Sequence, residues 1–76
     1  MSSGERKDLE RKIEALIIAI PREAESYDFY QQLAGEYPDQ ASKEMFTFLA
    51  GQEKKHQEML ERILADLEKK LAKLPR

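Results

Sequence analysis

The sequence predicts an all-α protein in which an antiparallel hairpin of two helices dimerises into a four-helix bundle. Apolar residues recur at alternating spacings of three and four along most of the chain, as they do on one face of a helix. The segment GEYPD interrupts this pattern near the middle of the chain and indicates a turn between two helices. With 3 glycines and 3 prolines in 76 residues, the chain lacks the regularly spaced turn residues that an all-β protein needs.

The first helix is predicted over about residues 5–36. Its stripe consists of Leu9, Ile13, Leu16, Ile20, Glu23, Tyr27, Tyr30 and Ala34. Pro21 lies inside this pattern, where a proline removes a backbone hydrogen bond and costs about 3 kcal/mol. The stripe nevertheless continues from Ile20 to Glu23, so we expect a kink at Pro21 rather than a separate segment that ends at Ile20.

The second helix is predicted over about residues 39–74. Pro38 disfavours helix at the residue before it, and Asp39 is suited to cap the helix that follows. The stripe of this helix consists of Phe46, Leu49, Glu53, His56, Leu60, Ile63 and Leu67. No linker or low-complexity segment interrupts either helix, so we expect residues 1–76 to form a single helical-hairpin domain.

Composition excludes several classes of function. The chain has no cysteine, which removes disulfides, thiolate zinc sites and iron–sulfur clusters. The 13 Lys+Arg and 15 Asp+Glu give a net charge of −2, so no nucleic-acid partner is expected. No apolar run approaches the ~20 residues of a membrane span, and the amino-terminal sequence has no secretory segment. We therefore expect a cytoplasmic protein without a membrane partner.

The size of the chain indicates that it needs a partner. A chain this short buries only ~60% of the surface that its unfolded form exposes, and short proteins usually rely on disulfides, a metal or a partner chain. Large apolar residues near the middle of the hairpin occupy more than one flank. They are Tyr27, Phe29, Tyr30, Met45, Phe46, Phe48 and Met59. Because a lone hairpin would leave many of them in water, we expect at least a homodimer of two stacked hairpins.

Three ionisable residues occupy stripe positions where the pattern predicts Leu or Ile: Glu23, Glu53 and His56. Glu53 and His56 are three residues apart and therefore share one helix face. The midpoint of positions 23 and 53 is position 38, in the predicted turn, which puts each glutamate about 22 Å from the hairpin tip at 1.5 Å per residue. The two glutamates should therefore meet at the same height across the seam, beside His56.

Two explanations suit such a cluster. Carboxylates with an imidazole suit iron or manganese, with zinc as a further option. In di-iron bundles two helices each supply one Glu and two others each supply Glu-x-x-His, so one copy of this chain carries half of a site for two metal ions. Alternatively, Glu23 and His56 pair across the seam without a metal, and the hairpin is a structural dimerisation module whose polar core residues set the register.

Residues 19–60 resemble the rubrerythrin and ferritin-like di-iron superfamily. The matching features are Glu23 with Tyr30 in REAESYDFY, and Glu53 with His56 in FTFLAGQEKKH, which together form the pattern E-x6-Y-x22-E-x2-H. Because only one hairpin is present, the sequence is most similar to the encapsulated ferritins, which are half-ferritin hairpins that build their site between two subunits. The resemblance implies that the dimer is a ferritin-like four-helix bundle.

The resemblance also implies an activity, that of an iron-binding ferroxidase. Glu23, Glu53 and His56 would be the catalytic residues and the iron ligands, with two iron ions per dimer and with manganese or zinc as substitutes. Tyr30 would donate a hydrogen bond to a ligand carboxylate. Dimers would assemble into a ring inside an encapsulin nanocompartment, for iron storage or detoxification. Rubrerythrin-like reduction of peroxide is the alternative, although the chain has no cysteine-ligated electron-transfer domain of the kind that full rubrerythrins carry.

Overall fold

The structure, a computed structural model, describes residues 2–75 and the side chains of residues 4–75. It contains two helices, α1 (Ser2–Glu36) and α2 (Gln40–Ala72). Only residues 37–39 connect them, and the molecule measures 57 × 14 × 13 Å, so the helices lie side by side and antiparallel. The prediction of an all-α hairpin is confirmed, and the described residues form no strand.

The start of α2 is set by a capping aspartate, as the sequence predicted. Asp39 has extended backbone angles (φ −82°, ψ 142°), and its carboxylate accepts a hydrogen bond of 2.9 Å from the backbone N–H of Ser42. Hydrogen bonds from the Ser42 side chain and backbone lower the pKa of Asp39. The capped helix therefore begins at Gln40, one residue after the predicted start.

The outer ends of the helices differ from the predicted ones. The first helix begins at Ser2, earlier than the predicted residue 5, because nothing in the polar amino-terminal segment breaks the helix. The second helix ends at Ala72 rather than at residue 74. Pro75 disfavours helix at Leu74, and the last turn tightens through a 3.1 Å hydrogen bond from the Leu74 N–H to the Leu71 carbonyl.

The first helix continues without interruption across Pro21. The alternative of a separate segment that ends at Ile20 is therefore wrong, whereas a bend at Pro21 stays a prediction. A proline at this position frees the carbonyl of Ile17, four residues earlier. Ile17 is 54% exposed, so water can bind the freed carbonyl and the helix does not need to break.

The interior of the hairpin is thin. Among the described residues the only buried apolar side chains are Leu9 and Ala50, one in each helix. The chain exposes 5879 Å², whereas a folded monomer of 8.9 kDa is expected to expose about 4,800 Å². Neither helix contains, within the described part of the chain, a stretch that is long and apolar enough to cross a membrane.

The hairpin has two broad sides, which are named here after His56 and Lys54. On the His56 side, Ile63 and Leu67 of α2 line a groove with Lys12 and Ala15 of α1. Helical spacing extends this side to two rows. They are Lys12, Ala15, Ala19, Arg22, Ser26, Phe29 and Leu33 in α1, and Met45, Leu49, Gln52, His56, Met59 and Ile63 in α2.

On the opposite side, which we call the Lys54 side, the Lys54 ammonium lies over the Tyr27 ring and Glu68 lines a second groove with Arg6 and Ile13. Helical spacing again gives two rows. They are Arg6, Glu10, Ile13, Ile17, Ile20, Ala24, Tyr27 and Gln31 in α1, and Thr47, Ala50, Lys54, Gln57, Glu61, Ala65 and Glu68 in α2.

Candidate metal centre

The structure brings together the three ionisable side chains that were predicted to share a metal. Glu23 projects from α1, and Glu53 and His56 project from α2 across the seam. Each offers one ligand atom, and these three atoms all lie within 4.8 Å of one another. The Nδ1 atom of His56 is 3.7 Å from the Oε2 atom of Glu23. Such an arrangement suits a metal ion that all three atoms contact.

Two carboxyl groups face each other in this cluster. The pKa of Glu53 is raised, first by hydrogen bonding to the Glu23 carboxyl, then by burial and then by repulsion from the negative charge of Glu23. The nearby His56 acts in the opposite direction and lowers the pKa of Glu53. Without a cation Glu53 therefore holds a proton more firmly than an isolated carboxylate would.

One carboxylate oxygen of the cluster lacks a partner. Oε2 of Glu23 is buried and forms no hydrogen bond, and the Glu23 side chain as a whole is only 28% exposed. An unsatisfied buried polar group costs about 1–3 kcal/mol, and more if it is charged. His56 lies nearest to this oxygen at 3.7 Å, which is too long for a hydrogen bond. A cation among the three side chains would satisfy the oxygen and neutralise both carboxylates.

The donor set fits iron. Two carboxylates with one imidazole suit first-row transition metals, whereas calcium and magnesium favour sites made only of oxygen donors. One chain provides only half of the four glutamates and two histidines found in di-iron carboxylate bundles. The His56 side chain is 54% exposed, so the half-site is open on the His56 side of the hairpin.

Tyr30 packs among aromatic rings on the tip side of the cluster. Its ring lies 5.6 Å from that of Phe29 and stacks on that of Phe46 at 6.5 Å, and Phe46 stacks in turn on Tyr37 at 5.5 Å. The hydrogen bonds of the described residues include none from the Tyr30 hydroxyl to either glutamate. Its hydrogen bond to a ligand carboxylate therefore stays a prediction, and in the single hairpin Tyr30 is a packing residue.

Sequence reasoning assigned Tyr27 to the core and did not single out Lys54, but the two residues form a contact beside the cluster. The Lys54 ammonium lies 5.5 Å from the centre of the Tyr27 ring, and the Tyr27 hydroxyl accepts a 2.8 Å hydrogen bond from the Gln31 side chain. Tyr27 is one turn after Glu23, and Lys54 directly follows Glu53. These spacings were the signal available in the sequence, and they place the contact next to the cluster on the Lys54 side.

A helical hairpin with two glutamates and a histidine at its seam carries half of the ligand set of a di-iron carboxylate bundle, and the fold and the cluster point to this class. The family model described as Rubrerythrin matches residues 8–76, so the chain belongs to the rubrerythrin family, within the ferritin-like di-iron superfamily. Iron is the metal that this family binds, in agreement with the donor set. No curated protein and no solved structure matches the chain.

Proposed function

We propose that two copies of this chain form a ferroxidase, which binds two Fe(II) ions and oxidises them to Fe(III). The observation that carries this proposal is the convergence of Glu23, Glu53 and His56, with one buried carboxylate oxygen that has no hydrogen-bond partner. Membership of the rubrerythrin family supports iron as the metal. The similarity of residues 19–60 to the encapsulated ferritins supports a role in iron storage or detoxification inside an encapsulin shell.

The proposed reaction balances with dioxygen as the oxidant. Each of two Fe(II) ions loses one electron, and O2 takes up the two electrons with two protons and leaves as hydrogen peroxide. With hydrogen peroxide as the oxidant, two electrons and two protons give two water molecules instead. In both reactions the two metal ions together gain two positive charges, so negatively charged ligands favour the oxidised products over the Fe(II) substrate.

The residues of the cluster have distinct parts in this proposal. The carboxylates of Glu23 and Glu53 hold and neutralise the iron ions. His56 binds as a neutral imidazole, so iron affinity falls as protons compete for its ring. Because Glu53 has a raised pKa, metal binding also displaces any proton that Glu53 holds. We therefore expect iron binding to release protons and to weaken as the pH falls.

A metal-free structural role is the second candidate, and the 3.7 Å distance between His56 and Glu23 favours it. In this alternative a protonated His56 pairs with the Glu23 carboxylate, and the pair sets the register of a dimerisation hairpin. Metal analysis separates the two candidates. A stoichiometric amount of a transition metal in protein purified without chelator would exclude the structural alternative.

The activity is tested by mixing metal-free protein with Fe(II) and measuring the formation of Fe(III) in air. We expect oxidation faster than in buffer alone, and an increase in the light-scattering mass above that of the 8.9 kDa chain when Fe(II) is added. The double variant Glu53→Ala with His56→Ala should abolish both effects. Glu58→Ala, which removes an exposed glutamate from the same helix, serves as the matched control. If the double variant keeps both effects, the proposal is wrong.

The choice of oxidant decides between the ferroxidase and the rubrerythrin-like alternative. The ferroxidase predicts that O2 sustains oxidation of Fe(II) without any added reductant. Peroxide reduction predicts that hydrogen peroxide reacts faster than O2, and that repeated turnover requires an external electron donor. Single-mixing experiments with each oxidant at equal concentration measure this ratio directly.

A further inference from the structure

We infer that the second copy docks on the His56 side of the hairpin and that the Lys54 side stays exposed in the dimer. This inference rests on the proposed function, since a site shared between two copies requires that they meet at the cluster. It goes further, because the two sides both adjoin the cluster and only one of them can be covered by a second hairpin in a four-helix bundle.

Exposed large apolar side chains concentrate on the His56 side. Phe29 is 56% exposed, Met45 51%, Met59 45% and Ile63 42%. The row of α2 on this side alternates spacings of four and three, as in the seam of a coiled coil. It consists of Met45, Leu49, Gln52, His56, Met59 and Ile63. Only the two residues at its centre are polar, so this row suits the interior of a bundle.

The facing row of α1 leaves room for a partner helix. Ala15, Ala19 and Ser26 are small and lie between the larger side chains of that row. Beside Ala15 the same side has an apolar groove of about 440 Å³, which is lined by Lys12, Ala15, Leu16, Ile63 and Leu67. Large side chains on one helix beside small ones on the other give a surface that a second copy of the same hairpin can fill.

The exposure of His56 points to the same side. Its side chain is 54% exposed and lies at the centre of the apolar row of α2. A second copy that covers this row buries His56 and brings the partner's Glu23 and the partner's Glu53 beside it. On the opposite side, Lys54 and Tyr27 already contact each other, one position after Glu53 and one turn after Glu23.

The area that the hairpin exposes is sufficient for a stable dimer. Its 5879 Å² exceeds the surface expected of a folded monomer of this mass by about 1,000 Å². A protein interface of standard size removes about 800 Å² from each partner. One partner on one side thus accounts for the excess.

Two isoleucines on opposite sides provide the test. Ile63 lies on the His56 side and is 42% exposed, and Ile17 lies on the Lys54 side and is 54% exposed. Ile63→Glu should raise the dissociation constant of the metal-free dimer on the order of 100-fold or more, because the change occurs in both copies. Ile17→Glu should change it less than about 3-fold, as expected for a surface substitution. Sedimentation equilibrium in chelator measures both constants, and circular dichroism confirms that each variant is helical.

Thiol crosslinking gives a second measurement that does not depend on destabilising the dimer. Because the chain has no cysteine, single variants react only at the introduced site. Gln52→Cys, at the centre of the His56 side, should form crosslinked dimers with a short bis-maleimide. Glu61→Cys, on the Lys54 side, should not. Crosslinking of Glu61→Cys without that of Gln52→Cys would show that the wrong side was chosen.

The outcomes separate this inference from the proposed function. A protein that is monomeric at all concentrations, with and without Fe(II), overturns the interface. A dimer that Ile17→Glu dissociates and Ile63→Glu does not dissociate overturns it as well. A dimer with the expected response that fails to oxidise Fe(II) supports the interface and overturns the ferroxidase. Iron oxidation by Ile63→Glu at a concentration where it is monomeric shows that the site does not need this interface.

Discussion

The two sides of this hairpin differ although they flank the same cluster of Glu23, Glu53 and His56. The His56 side exposes a histidine and a row of large apolar side chains, and the Lys54 side has a lysine held over a tyrosine ring. In an isolated hairpin both sides face water. In the proposed dimer a second copy covers the apolar side, so that the same partner completes the half-site and buries the unpaired apolar surface.

The largest effect on iron oxidation is expected from substituting Glu23, which lies on the seam between the two sides. Glu23→Ala should reduce iron oxidation by more than the 10–100-fold that is typical for residues outside the ligand set. It should also return the pKa of Glu53 towards its ordinary value, because Glu23 supplies the first and third causes of the rise. Stopped-flow oxidation and an NMR titration of Glu53 measure the two changes. Glu25→Ala, at an exposed neighbouring position, should leave both unchanged.

Metal binding should stabilise the fold through His56 and not through Lys54. Under anaerobic conditions, Fe(II) at one hundred times its dissociation constant should raise the free energy of unfolding by about 2.7 kcal/mol. His56→Ala should lose most of this gain, and Lys54→Ala, at a non-ligand position on the other side, should keep it. Urea unfolding at fixed protein concentration, with and without Fe(II), measures the gain. Equal losses in the two variants would contradict the division of roles between the two sides.

The raised pKa of Glu53 predicts a smaller effect on the stability of the metal-free protein. The ionised Glu53 carboxylate destabilises the fold at neutral pH, whereas a bound metal ion stabilises it. A folded-state pKa above the unfolded value of about 4.5 favours the fold below that pH, and this contribution is lost as the pH rises through the folded-state pKa. Glu53→Gln should therefore stabilise the metal-free protein at pH 7, by about 0.5 kcal/mol or less. The difference should shrink as the pH falls towards 4. Urea titrations of both proteins in chelator at several pH values measure the difference.

The last effect is on a rate and concerns access of iron from the Lys54 side. If the partner covers the other side, Fe(II) approaches the cluster past the ammonium of Lys54, which repels it. Lys54→Gln should then raise the association rate of Fe(II) about 2- to 5-fold at low ionic strength, and the increase should vanish at high salt because of screening. A matched Lys55→Gln variant removes an exposed charge one residue away. If the two variants behave alike, approach past Lys54 is excluded.

Much of the site was predictable because its residues break a regular pattern. Glu23, Glu53 and His56 stand where a helix stripe calls for Leu or Ile, and the position of the turn put both glutamates at one height. The contact between Lys54 and Tyr27 was not predictable in the same way. Both residues have ordinary explanations in sequence, and only the rotation of each helix about its axis decides that they meet.

Interruptions of the helices were harder to predict than the helices themselves. Pro21 carries the strongest helix-breaking signal within the first helix, yet the helix continues across it because the freed carbonyl of Ile17 lies on an exposed position. The carboxyl end of the second helix was predicted two residues too late, because Pro75 acts on the residue before it.

The sequence by itself determined the all-α hairpin, the turn, the cap at Asp39 and the three candidate ligands. These follow from spacing and from the chemistry of single residues, which act locally along the chain. Only the tertiary structure decided that one oxygen of Glu23 is buried without a partner, that His56 is exposed and that Lys54 lies over the Tyr27 ring. These features depend on how two helices are rotated and packed against each other. Packing of that kind arises from contacts between residues distant in the chain.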